Sequence, residues 1–151
     1  MAYIDKTDIT VSMPVAELDR IISGDDCIIE SEVLRAIELV KSFLRPRYDT
    51  TAIFAATGTN RNQMILSLTI DIVIYNLLSR VNNIDIPALR KERYDGNSPQ
   101  QTGGAIGILK MIAKGTIEPD LPLREDGQTD QTGNVVMYGY ASETTDRNTT
   151  F

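Results

Sequence analysis

Histidine and tryptophan are absent from this chain, and Cys27 is its only cysteine. Without histidine it lacks the commonest general base and the commonest metal ligand. One thiol can close no internal disulfide and build no cysteine-rich zinc site, so a reducing compartment is expected. Bases are outnumbered by acids, 15 to 21, for a formal charge of −6. A surface that is basic throughout, as tight nucleic-acid binders have, is therefore excluded. The opening residues Tyr3-Ile4-Asp5-Lys6 lack the basic-then-apolar pattern of an export leader. What is present is ordinary: 151 residues, 42% apolar and 24% charged. That is enough chain for one domain with a core of its own, and it excludes wholly disordered and collagen-like chains.

The charge is unevenly placed. Residues 1–30 carry a net −5, residues 31–115 a net +4, and residues 116–151 a net −5. Acidic ends on a basic body fit either solvated termini or self-association, with an end of one copy meeting the body of another.

Apolar spacing predicts helices. Pro14 suits a first helical position, and Val15, Leu18 and Ile22 share a face over 14–23, with Gly24 as the stop. Val33, Ile37, Val40 and Leu44 form a stripe on a helix that starts at Asp26 or Ser31 and is stopped by Pro46. Residues 46–61 read as a loop anchored by Ile53 and Phe54. From about Arg61 to Val81 the chain is apolar nearly all round, which marks a central helix. Asp71 within it argues against a membrane span. The composition of Thr69–Tyr75 also fits a strand, and length favours the helix. Shorter helices are expected over 86–94 and 104–114, separated by a Gly- and Gln-containing loop at 95–104. The result is an all-α fold of four to five helices around one apolar helix, with a body over 1–115. Residues 116–151 read as an extended arm. Its one apolar strip, Val135, Val136, Met137, Tyr138 and Tyr140, should order only against something else, as a docking strand.

No constellation for catalysis, cofactor or metal is expected. Cys27 has no histidine to activate it and should pack as a small apolar residue. Asp71 is the one acid expected to be buried, paired with Arg45, Arg47 or Arg80 or with a backbone group, and its removal should then cost a few kcal/mol. Arg45, Arg47 and Tyr48 form an anchor-type cluster of the residue types enriched at interface hot spots, and the two arginines equally read as favoured at a helix C-terminus by the dipole. Arg93 and Tyr94 belong to a second such stretch, Arg90-Lys91-Glu92-Arg93-Tyr94, which equally reads as a solvated helix face.

Taken in order, the segments resemble a known family. Phe43-Leu44-Arg45-Pro46-Arg47-Tyr48 ends a helix, and Leu66–Tyr75 forms a core helix containing Asp71-Ile72. Arg90–Tyr94 and Leu109-Lys110-Met111-Ile112-Ala113-Lys114-Gly115 follow. This order and spacing resembles the small head–tail connector (adaptor, or neck) proteins of tailed bacteriophages, over roughly residues 3–118. Their motifs run Tyr-Leu-x-x-Arg-Tyr, Ile-Ala-x-Asp-Ile and Leu-x-x-Ile-Ala-x-Gly. The 95–104 loop and the long arm depart from the family pattern.

The resemblance implies a virion structural protein without enzymatic activity. It implies a ring of copies of itself, generally dodecameric, docked on the portal protein. The ring would extend the DNA channel towards the next neck or tail component, with DNA only in non-specific passage and no membrane. The place implied is the capsid–tail junction of the virion, after assembly in the host cytoplasm. A reading from another class is a small helical DNA-binding regulator that uses the basic 31–115 segment.

Overall fold

Asp5 opens the first helix. Its carboxylate accepts the Asp8 N–H while the Asp8 carboxylate accepts the Asp5 N–H, both at 3.0 Å. This reciprocal capping box starts α1, Lys6–Ser12. A computed structural model describes residues 2–81, 85–96 and 103–125. Among them the fold is all-α, with seven α-helices where the sequence reading expected four to five.

Helix α2 spans Val15–Ile22 after Pro14 and ends in left-handed Ser23. Helix α3 spans Asp26–Leu44, so it starts at the earlier of the two expected positions, with the Asp25 carboxylate accepting the Cys27 N–H at 3.0 Å. The expected loop at 46–61 holds another helix, α4, Thr50–Ala55. One Asp49 carboxylate oxygen accepts the Thr51 and Ala52 N–H groups at 2.9 and 3.1 Å. A helix of six residues is too short to show a period, so its cap is its main signal.

Helix α5, Gln63–Ser79, is the centre. Ten of its residues are buried, from Ile65 to Leu78, and it packs against α1, α2, α3, and the two later helices α6 (Ala88–Asp95) and α7 (Gly104–Lys114). Its Thr69 hydroxyl donates to the Ile65 carbonyl at 2.6 Å, which satisfies a fully buried polar group inside the helix. Burial on every side thus overrides the strand composition of Thr69–Tyr75.

Helices α6 and α7 meet end to end. Gly104, at φ +69°, starts α7 so close to α6 that a Cβ there would lie 2.8 Å from the Glu92 carbonyl oxygen and 2.9 Å from the Asp95 carbonyl carbon. Only glycine fits. The junction sets the negative end of one helix dipole against the positive end of the next.

The body does not stop at Gly115. Ile117 and Leu121 pack half-buried on the core. The Asn62 amide donates to the Asp120 carbonyl at 3.1 Å, and Tyr48 and Leu123 form an isolated antiparallel bridge. The first residues of the expected arm therefore lie along the body. Pro119 and Pro122 end helical structure but leave an extended segment free to lie along the surface.

Candidate interaction surface

The motif residues singled out above meet one another. Arg47 reaches across to the end of α7. Its guanidinium donates to the Ile112 carbonyl at 3.4 Å and pairs with Glu118 at 2.9 Å. It lies against Gly115, whose left-handed φ of +77° ends α7. A cation at the C-terminal end of a helix is favoured by the dipole and by the unsatisfied last carbonyls. Tyr48, next in sequence, is 3% exposed. Its ring is part of the core, so it is unavailable as a surface anchor, and burial pushes its phenol pKa up.

Asp71 and Arg93 form the second contact, at 3.4 Å, with the Asp71 side chain 15% exposed. Burial raises the Asp71 pKa, against the opposing effect of Arg93 and Arg90. The partner differs from the three expected arginines. Arg45 and Arg47 stand at the α3–α7 end of the body, and Arg80 lies 4.0 Å from Glu32 instead. Helix α6 is what carries Arg93 over Asp71, and no local spacing could show that. One turn along, Tyr94 stacks on Tyr75 with ring centroids 3.9 Å apart and planes 5° from parallel. Arg90 donates to the Ser12 carbonyl at the end of α1. Helix α6 has no fully buried residue, and these contacts tie it to α5 and to the end of α1.

Three features escaped the sequence reading. Glu32 is a buried acid, its side chain 3% exposed, with Arg35 at 3.0 Å. Its place beside Val33 on the edge of the apolar stripe was the available signal. Arg61 grips Asp8 through two bonds of 2.7 and 3.0 Å and donates to the Tyr3 carbonyl at 2.8 Å, which ties the N-terminus to the start of α5. Partners 53 residues apart leave no trace in local sequence. Cys27, expected to pack as an apolar residue, is exposed, and Asp25 and Glu30 raise its pKa, so the thiol form is favoured.

The surface carries scattered apolar side chains: Val11, Val15, Leu34, Leu89 and Leu123 are exposed. Leu89 borders a groove of about 310 Å³ over Leu68, Asp71 and Ile108. A second cleft, of about 410 Å³, lies between α4 and residues 120–122. Glu92 and Arg93 also line the first of these, beside Asp71. Among the described residues no cluster of His, Cys, Asp and Glu could hold a metal, and no helix is long and apolar enough to cross a membrane. The expected docking strip, Val135, Val136, Met137, Tyr138 and Tyr140, lies outside the described residues.

The sequence model of the family described as "Bacteriophage Mu, Gp36" matches residues 3–138, most of the chain. Comparison with curated proteins and with solved structures returned no match.

Proposed function

The chain belongs to the bacteriophage Mu Gp36 family, and from that premise we propose that it is a virion structural protein, a subunit of a head–tail connector ring. In this reading about twelve copies dock on the portal protein at the capsid–tail junction and extend the DNA channel towards the next neck or tail component. Weak contacts suffice there, because every contact after the first is effectively intramolecular. An acidic to neutral channel wall suits passage, since a continuous basic belt would hold phosphates through counterion release. No catalytic role and no cofactor enter the proposal.

The phage family match over residues 3–138 carries this reading. Its support from the fold is that the connector-like motifs interlock as one body: Arg47 on Gly115, Asp71 with Arg93, Tyr75 on Tyr94. A DNA-binding regulator fits less well. Two of the guanidiniums it would offer from α6 are already engaged within the body, Arg90 with the Ser12 carbonyl and the half-exposed Arg93 with Asp71.

The test is the particle mass of purified full-length protein, alone and with the portal protein of the same phage, by native mass spectrometry and negative-stain microscopy. A closed ring of about twelve copies, seated coaxially on the portal ring, is the expected result. A chain that stays monomeric with portal present, and is missing from purified virions, overturns the proposal.

A further inference from the structure

Residues 122–124 run antiparallel to residues 47–49. The Asp49 N–H donates to the Pro122 carbonyl at 2.9 Å, and the Arg124 N–H to the Arg47 carbonyl at 3.1 Å. These two bonds flank the Tyr48–Leu123 bridge. In that pattern the N–H and C=O of the bridged residues point away from each other. Leu123 therefore turns both its backbone groups to the outer side of the ladder. Neither has a partner among the described residues, and the Leu123 side chain is 67% exposed. An open edge with an exposed apolar side chain is a template for an added strand.

The chain itself carries a strand to fill it. Residues 135–140 are uncharged and rich in β-branched and aromatic side chains, the composition that suits a pleated, half-buried surface. The described chain leaves the edge at Glu125. Residues 126–134, if extended, reach roughly 30 Å. That is about the width of a body this size, so the strip can arrive at the same edge on an adjacent subunit.

We propose that the Leu123 edge of one subunit receives residues 135–140 of the neighbouring subunit as an added antiparallel or parallel strand, so that each arm staples the next copy in the ring. This rests on the ring reading above. Closure of the strip on its own chain's edge is the competing arrangement, and the cross-linking pattern below separates the two. Around a ring, each such contact is made between copies already held together, and it is repeated at every subunit.

The experiment uses the full chain with Cys27→Ser as background. Leu123→Cys is combined with cysteine at each position from 135 to 140 in turn, and the assembled particles are oxidised. A second variant, Leu123→Pro, removes the outward N–H while leaving the Pro122 carbonyl and the Arg124 N–H in place. The expected result is a ladder of disulfide-linked subunits on a denaturing gel. The Leu123→Pro protein should melt like its parent but need at least tenfold more protein to form rings. Rings without cross-links, cross-links confined to single chains, or Leu123→Pro rings as stable as the parent overturn the edge assignment and leave the connector reading standing. If the parent forms no ring with or without portal protein, the connector reading falls first and this one with it.

Discussion

Replacing Gly115 by alanine tests the contact that joins two motifs 65 or more residues apart. Two costs are separable. The left-handed φ of +77° strains any residue with a Cβ, at ~1–2 kcal/mol for alanine. The added methyl also meets the Arg47 guanidinium, whose Cζ would lie 3.0 Å away. That group is the far end of a flexible side chain, so it moves and the backbone stays. The second cost is therefore the loss of what Arg47 held: a long bond to the Ile112 carbonyl and an ion pair with exposed Glu118, together ~1 kcal/mol. The total is ~2–3 kcal/mol, or roughly 4–12 °C in Tm for a chain of this size. Arg47→Ala alone should cost ~1 kcal/mol. The double variant should cost about the same as Gly115→Ala, because the methyl has already displaced the arginine. That is a coupling of ~1 kcal/mol. Gly115→Asn keeps the displacement and reduces the backbone strain, so it should fall between parent and alanine. Thermal and urea unfolding followed by far-ultraviolet circular dichroism reads all four proteins. Strict additivity of the two single changes, or a Gly115→Ala protein that melts with the parent, refutes the reasoning.

Glu32→Gln should cost only ~1–2 kcal/mol, since the arginines it leaves behind are 70% and 49% exposed and water takes them up. Arg35→Ala combined with Arg80→Ala strands the buried carboxylate and should cost more, ~3 kcal/mol or above; urea midpoints that rank the two the other way contradict the assignment. For Asp71 the sign is opposite to that of a tightly paired acid. Its folded pKa is raised, so the folded state binds the proton more readily, and stability from this group grows as pH falls from above the raised value to the ordinary aspartate value of 3.8. Asp71→Asn should be at least as stable as the parent at neutral pH and lose that advantage in acid, and Asp71→Ala should cost less than the few kcal/mol expected of a well-paired buried charge. Melting curves across that window decide it: an Asp71→Asn protein clearly weaker than the parent at neutral pH would show that Arg93 compensates the burial in full.

Much of the fold is legible in the amino-acid sequence. The stripe Val33, Ile37, Val40, Leu44 and the apolar run of α5 announce themselves because a helix that faces a core repeats its burial every turn, and repetition is a property of sequence. Pro46 and Gly115 could be read as stops for the same local reason. Helices α1 and α4 were not seen, since seven and six residues hold too few turns to repeat anything, and their caps, Asp5 with Asp8 and Asp49, were the only marks. That Asp71 would need a partner followed from its place among ten buried neighbours. Which partner did not follow. Arg80 caps the helix that carries Asp71, yet it turns to Glu32 on α3, while Arg93 comes from α6. Pairing of this kind is decided by the path of the chain between helices, and distance along the sequence carries no information about it. The same holds for Arg47, an anchor candidate by residue type, which the fold commits to capping α7. It holds also for residues 116–125, whose composition reads as an arm and whose extended backbone lies along the body through Asp49, Asn62 and Arg47. Composition and period determined that the chain is helical and where its core helix lies. Only tertiary contact determined which polar groups are used up inside the body and which backbone edge, at Leu123, is left open.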